Sequence, residues 1–550
     1  MRCGLGWAVA LVPLASAQTV APASEGAFEL VYYDTLDEHG NLTGGATQMW
    51  LPSRASLTGR TGAPHAQLSA FGGNPANRID FVFVGDGYTS AQLGTYATHV
   101  NNVVAAFFNR VPYSTYRDYF TVHRIDVVSV DSGVDHDPTQ GILKNTALDM
   151  RFWCSGTERL LCVNVNKAYN FANNAPDVDL VAALANSTMY GGAGYPGNDL
   201  GTCAAASSAS VEILQHEFGH ALGNLADEYD YGGSTTYSGP EPSAPNVSKL
   251  LASAMLAAGT KWASWLGTNQ SPYDGLVDTF EGANYSAFGI YRPTSNSLMR
   301  SLGRPFNLPS IEALIIEMYK IVDPIDTASS TLVAYDGTET LFVTPMVPVG
   351  HSLVVQWSLD GIDIPGATGT TLDLGSLGLG PCDHTVSVTV RDNTTLVRNE
   401  TARAQWMTQT REYFVSPSGT TLSTYCVAAA NTAGPGALIG ALGSTSLAAN
   451  DLVLTVSGCP PFTNGYFFWG LGTTQTTLGN GFLCVQPPII RMAITPADAT
   501  GAAAFAFPAP NWSSFIVPGT DVYFQYWYRN VAAGGALFNV SNGLKARFCN

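Results

Sequence analysis

The chain has 550 residues, 46% of them hydrophobic, and carries 25 basic against 42 acidic side chains for a net charge of −17. This length implies roughly three or four domains with ample apolar material for their cores. The acidic balance argues against nucleic acid and anionic membranes as partners, and no run past the N-terminus is long and apolar enough to span a bilayer.

Residues 1–17 read as a secretory signal: Arg2, an apolar Gly4–Leu14 stretch, then Ala15-Ser16-Ala17 before Gln18. A secreted, extracellular chain is therefore expected. Of 9 cysteines, Cys3 would leave with the signal, and the even remainder favours disulfides. Cys154–Cys162, Cys459–Cys484 and Cys426–Cys549 are plausible pairs. No C-x-x-C occurs, which argues against a separate structural zinc site.

Residues 18–75, with Phe28-Glu29-Leu30-Val31-Tyr32-Tyr33 and several turn signals, suggest a small N-terminal β module. A propeptide-like cover is the alternative. With no cysteine left there to block a metal, the structural role is preferred.

Residues 76–325 alternate strand and helix patterns. Ile79–Val84 is an apolar strand ending in the turn Gly85-Asp86-Gly87, and Ala91–Arg110 is an amphipathic helix. Tyr119–Val130 and Asp179–Asn186 read as further strands, the latter followed by Tyr190-Gly191-Gly192. A strand just before the next helix can form an exposed sheet edge, to which an extended peptide adds through main-chain hydrogen bonds. Tyr190, Gly191 and Gly192 are candidates for such a substrate edge, with a plain loop as the alternative. Asp135-His136-Asp137 offers a structural Ca2+ site or, more simply, a solvated turn.

The next helix carries the chemistry, in His216-Glu217-Phe218-Gly219-His220-Ala221-Leu222-Gly223-Asn224-Leu225-Ala226-Asp227-Glu228-Tyr229. Histidines four apart share one helix face and can hold one zinc ion, while Glu217 sits where it can take a proton from the attacking water. Val211, Leu214, Phe218 and Ala221 suit a buried stripe opposite the metal, and Gly223 suits a helix stop through a positive φ. A catalytic zinc needs a third protein ligand. Metzincin peptidases place it three residues after the glycine, where this chain has Ala226, which cannot ligate. Asp227 restores the pattern with a one-residue insertion; Glu228 is the alternative, and the other carboxylate would orient a ligand. Glu281, Glu312 and Glu317 are distant donors of a different layout, with Pro309–Met318 reading as a packed helix. Met299, in Asn296-Ser297-Leu298-Met299-Arg300, resembles the methionine that metzincins hold under the metal in a tight turn.

Together these stretches resemble the IgA-peptidase family of metzincin-like zinc metallopeptidases. The zinc motif carries the likeness, with Asp80–Tyr88, Tyr116–Phe120, Asp126–Ser129, Ser132–Asp135 and Asn186–Gly192 beside it. The resemblance implies an α+β zincin-like (metzincin-type) catalytic domain and a secreted endopeptidase with a protein or glycoprotein substrate, without implying immunoglobulin A as that substrate.

Beyond it, the helical pattern is lost. Residues 326–412 read as an immunoglobulin-like β-sandwich, with alternating His351–Ser358 and His384–Val390 and with Trp357 as core tryptophan. Residues 413–550 read as a C-terminal β-sandwich around Asp521–Tyr528, a possible attachment or carbohydrate-binding module whose aromatics mostly form its core. The expectation is a zinc endopeptidase in which Glu217 assists attack of a zinc-bound water, with His216, His220 and Asp227 as ligands. A non-catalytic zincin-scaffold adhesin or glycan-binding surface protein is the rival, disfavoured because a binding protein needs no general base.

Overall fold

A computed structural model describes residues 26–35, 42–69, 73–379, 383–417, 422–517 and 519–549. The expected signal peptide and Cys382 lie outside the described residues.

Among the described residues up to 325, an eight-stranded sheet is the organising element: β1 (Gly26–Tyr33), β2 (Gly45–Pro52), β3 (His65–Ser69), β4 (Ile79–Asp86), β5 (Phe120–Ile125), β6 (Leu180–Ala185), β7 (Gly192–Tyr195) and β8 (Leu200–Ala204). Their spatial order is β2-β1-β7-β8-β6-β4-β5-β3. The centre is parallel, β5-β4-β6-β8, and the outer pairings are antiparallel. Among the described residues, five α-helices accompany it: α1 (Leu93–Phe107), α2 (Val165–Ala172), α3 (Ser210–Ala221), α4 (Ala252–Ala258) and α5 (Leu308–Ile321).

The central strands are apolar on both faces because both are covered, as parallel sheets require. Along β4, Phe81 and Phe83 join Tyr96 and Val100 of α1 and Leu214 and Phe218 of α3. Val82 and Val84 face the other way, into the cluster holding Ala168 and Tyr169 of α2. Each fully buried side chain of this size contributes about 1.5–3 kcal/mol. At the turn after β4, the buried Asp86 carboxylate accepts the Leu148 and Met150 amides at 2.9 and 2.8 Å and the Ser129 hydroxyl at 3.0 Å, which fits a shaping role for this turn.

Two β units follow. Three strands (Ile325–Ala328, Thr340–Pro345, Thr371–Asp373) and four (Ile362–Asp363, Val354–Leu359, His384–Arg391, Thr408–Val415) form separate sheets. Leu341, Val355, Trp357 and Val388 fill the space between them in an apolar cluster continuous with α5. Trp357 is fully buried and donates its indole N–H to Gly369 O at 2.8 Å. The last unit is built on a six-stranded sheet centred on Asp521–Arg529, with a core of its own. Among the described residues, no helix is long and apolar enough to cross a membrane.

Several expectations are corrected. Residues 26–69 do not stand apart as a module: β1 and β2 extend one edge of the central sheet and β3 pairs with β5 at the other. The strand expected over Tyr119–Val130 ends at Ile125, because the chain then bends so that Ser129 N donates to Tyr88 O at 2.8 Å. Cys154 pairs with Cys162, but Cys484 pairs with Cys426, which excludes the Cys459–Cys484 and Cys426–Cys549 pairings. Cys203 and Cys459 are buried thiols.

Candidate metal centre

Helix α3 is buried on nearly every side, its metal face included: His216, Glu217, Gly219 and His220 are as buried as Leu214 and Phe218. The helix stops differently from expectation. The left-handed residue is Asn224, at φ 48°, and not Gly223. Gly223 is needed for space instead, since a Cβ there would sit 2.8 Å from Gly219 O and 2.9 Å from Leu314. The turn at Asn224 brings Leu225 back, so that its N–H donates to Gly219 O at 3.0 Å and its carbonyl accepts His220 Nδ1–H at 2.7 Å. The segment that ends the helix thus orients one imidazole. Leu298 O accepts His216 Nδ1–H at 3.0 Å and orients the other.

With both Nδ1 atoms engaged, the two Nε2 atoms face each other at 3.0 Å. Asp227 Oδ1 completes a triangle, 3.0 Å from His216 Nε2 and 3.4 Å from His220 Nε2. Ligands on a tetrahedral zinc with bonds of about 2.0–2.1 Å lie roughly 3.3 Å apart, so this donor set fits such an ion. Among the described residues, His216, His220 and Asp227 are the group of metal-ligating side chains that converges in this way. The charge around them suits a cation too. Burial would lower His216, yet Asp34, Asp227 and Glu217 overcome it and push the imidazole up to about 10.

Glu228, the alternative ligand, points elsewhere. It accepts from Ser297 Oγ at 2.7 Å, Asn246 Nδ2 at 3.0 Å and Asn307 Nδ2 at 2.9 Å, and its own N–H donates to Met299 O at 2.8 Å. It therefore pins the Asn296–Arg300 segment beneath α3. Met299 is fully buried there, its Sδ only 2.6 Å from where a Cβ on Gly219 would stand. The distant glutamates are all engaged away from the triangle. Glu281 accepts from Gly289 N and Glu317 pairs with Lys320, while Glu312 accepts from Trp265 Nε1 and the Arg398 and Asn399 amides. Asp135 and His136 accept the Lys144 and Gly141 amides within their own loop.

Glu217 lies against β7. A Cβ on Gly194 would meet Glu217 Oε2 at 2.8 Å, and one on Gly192 would meet Oε1 at 3.2 Å, so the two glycines make room for the carboxylate. Neither Glu217 oxygen has a hydrogen-bond partner. Burial first, then the neighbouring Asp34, holds Glu217 well above the usual carboxylate range. The edge expected at Tyr190, Gly191 and Gly192 is not open. Leu161 N donates to Gly192 O at 3.5 Å, Gly191 O accepts from Ala204 N at 3.3 Å, Tyr190 O accepts from Arg159, and β1 pairs with β7 at Tyr32 and Gly194.

Three residues at this centre escaped sequence reasoning. Tyr285 donates to Asp227 Oδ2, Asp34 lies against His216, and the Tyr32 ring stacks on His220 at 4.2 Å between centroids. No local pattern marks them, because each arrives from a segment remote in sequence.

Two histidines and an unpaired glutamate on a helix beside a mixed sheet, with a carboxylate from the segment that follows the helix, define a candidate hydrolytic metal centre. Residues 69–276 match the family model of the IgA Peptidase M64. This stretch therefore carries a metallopeptidase domain of the IgA-peptidase family, whose chemistry implies a metal and a protein substrate. No curated protein matches the chain.

Proposed function

We propose that the chain is a secreted zinc metalloendopeptidase with a metzincin-type arrangement, in which His216, His220 and Asp227 hold the metal and Glu217 is the general base. The observation that carries this reading is the triangle of His216 Nε2, His220 Nε2 and Asp227 Oδ1 with all sides between 3.0 and 3.4 Å. The methionine packed beneath Gly219 supports the metzincin assignment.

A zinc ion bound there would polarise the scissile carbonyl and lower the pKa of a water molecule. Glu217 would take that water's proton and return it to the leaving amine, a role open to a buried carboxylate with no hydrogen-bond partner of its own beside the two histidines. The Leu298 and Leu225 carbonyls hold both imidazoles in the tautomer that leaves Nε2 free to ligate. Asp227 is anchored through its other oxygen by Tyr285. The substrate is a polypeptide, and the family's name does not by itself make it immunoglobulin A.

Metal content and casein cleavage of the full chain, before and after chelation, test the reading, together with Glu217→Gln. One zinc per chain with chelator-sensitive cleavage is expected, and Glu217→Gln should retain the metal while losing about 100-fold or more in rate. Unchanged cleavage by Glu217→Gln would sink the assignment of the base. Metal binding without cleavage under any condition would favour the non-catalytic scaffold.

A further inference from the structure

Residues 225–228 carry no regular secondary structure, yet each of them is held at its backbone by a named partner. Leu225 N donates to Gly219 O at 3.0 Å, Asp227 O accepts from Asn284 N at 2.9 Å, and Glu228 N donates to Met299 O at 2.8 Å. Ala226, between them, is held by a side chain. Asn246 Oδ1 accepts from Ala226 N at 2.8 Å, and Asn246 Nδ2 donates to Ala226 O at 2.8 Å. The amide thus pairs with both polar groups of one residue, as a neighbouring strand would. Its Nδ2 also donates to Glu228 Oε1 at 3.0 Å. A backbone N–H can only donate, so the Asn246 oxygen has to face Ala226 N and its nitrogen the other two partners.

Packing puts Asn246 there. The side chain is fully buried, and Val247 and Ala244 beside it join Ala226, Ala283 and Ile290 in a small apolar cluster. Ser248 N donates to Tyr291 O at 3.0 Å and Tyr291 N to Ser248 O at 2.7 Å, which fastens the segment to the strand Ser286–Arg292. That strand pairs with Phe280–Ala283, and the turn between the two supplies Asn284 N to Asp227 O and Tyr285 N to Tyr229 O. The ligand segment is therefore gripped on both sides of Asp227. Asn246 holds the residue before it and the side chain of the residue after it. With Glu228 turned toward Asn246, Ser297 and Asn307, it is Asp227 whose carboxylate faces the two imidazoles.

We propose that Asn246 is the positioning residue for the third metal ligand: by clamping the Ala226 peptide and Glu228 Oε1 together, it presents Asp227 and not Glu228 to an ion held by His216 and His220. This rests on the assignment of Asp227 as a ligand and not on peptidase activity. A partner that orients a ligand without touching the metal is typically worth about 10–100-fold in metal affinity.

The test titrates the full chain with Co2+. Wild type is compared with Asn246→Ala, which removes the clamp, and with Asn246→Asp, which keeps an acceptor for Ala226 N. Two controls accompany them. Asp227→Asn removes the ligand itself. Asp392→Asn alters a buried carboxylate that accepts from Tyr319 at 2.8 Å, away from the metal centre, and reports general loss of stability. Circular dichroism fixes a temperature at which the compared chains are folded. The visible absorption of Co2+ reports its ligand set and competition with a chelator reports affinity, neither of which depends on cleavage. Asn246→Ala should change the cobalt spectrum and lose about 10–100-fold in affinity, Asn246→Asp should lose less, and Asp392→Asn should change neither. Wild-type spectrum and affinity in both Asn246 variants would overturn the proposal. An equal loss in Asp392→Asn would overturn it too, because the effect would then be one of stability alone. Failure of both Asn246 variants to fold would assign the side chain to the fold and overturn its positioning role. Wild-type Co2+ binding by Asp227→Asn would overturn the ligand assignment itself, and the proposal with it.

Discussion

Tyr285 donates its hydroxyl hydrogen to Asp227 Oδ2 at 2.5 Å, leaving Oδ1 to face His216 and His220. The tyrosine is held for this contact by an unusual backbone: Asn284 and Tyr285 both have positive φ, at 45° and 66°. Asn284 N donates to Asp227 O and Tyr285 N to Tyr229 O, so the bend is docked on the ligand segment itself. A bulky residue in the left-handed region is costly and persists where its surroundings dictate it. Burial, then Asp227, holds the phenol well above its ordinary pKa, so it remains a donor. Tyr285→Phe should keep the fold and weaken metal binding about 10–100-fold, measured by competition with a chelator. Unaltered affinity would show that Asp227 needs no anchor.

The neighbours Asp227 and Glu228 should fail in different ways. Asp227→Asn should lose about 100-fold or more in metal affinity with little change in the melting temperature of the metal-free chain. Glu228→Gln should keep the metal yet lower stability by ~1–3 kcal/mol, because an amide cannot accept from Ser297, Asn246 and Asn307 together. Thermal melts with metal titrations on both variants check this, and an exchange of the two phenotypes would reassign the ligand.

Gly194→Ala tests the pocket for the general base. The added methyl group meets Glu217 Oε2 at 2.8 Å and Glu217 O at 3.0 Å, so the carboxylate has to move. A displacement of this kind costs about 100-fold in kcat. The variant should bind metal normally, and a wild-type kcat would show that Glu217 is not held against β7 during turnover.

Asp392 gives a pH signature far from the metal. Burial pushes its carboxyl up, but hydrogen bonds from His351 and Tyr116, with the Thr394 amide, prevail and hold it below the usual carboxylate range. Tyr319 also donates to it, at 2.8 Å, so this one side chain ties α5 to the first β-sandwich. With the folded pKa below the unfolded one, the stabilisation is complete above about pH 3.9 and is lost as pH falls through the folded value. Asp392→Asn should cost ~1–3 kcal/mol at neutral pH and lose this part of the acid sensitivity, read from urea unfolding across pH. Parallel curves for variant and wild type at every pH would contradict it.

Much of the centre was legible in the chain because its information is local. His216 and His220 fall on one helix face by spacing alone, and a glutamate between them has one chemical use beside a metal. The run Ile79–Val84 marked an apolar strand, and the structure adds that both of its faces are covered. The third ligand was narrowed to two adjacent carboxylates and no further. Consecutive residues of an irregular segment point in unrelated directions, and the turn at Asn224 determines which one meets the imidazoles. The glycine stop was misjudged for the same reason: packing against Leu314, not backbone conformation, requires Gly223.

What the amino-acid order determined by itself, then, is a helix with two histidines on one face and a glutamate between them, the apolar strands around it and the β character of the chain beyond residue 325, all properties of short periods and short spacings. What only the tertiary structure decided is the company these residues keep. Asp34 against His216, Tyr285 behind Asp227 and the pairing of Cys426 with Cys484 depend on sheet order and long-range register. The hydrogen bonds that join β1 to β7 are made by backbone groups common to every residue, so they leave no mark in the sequence by which a partner so distant could be recognised.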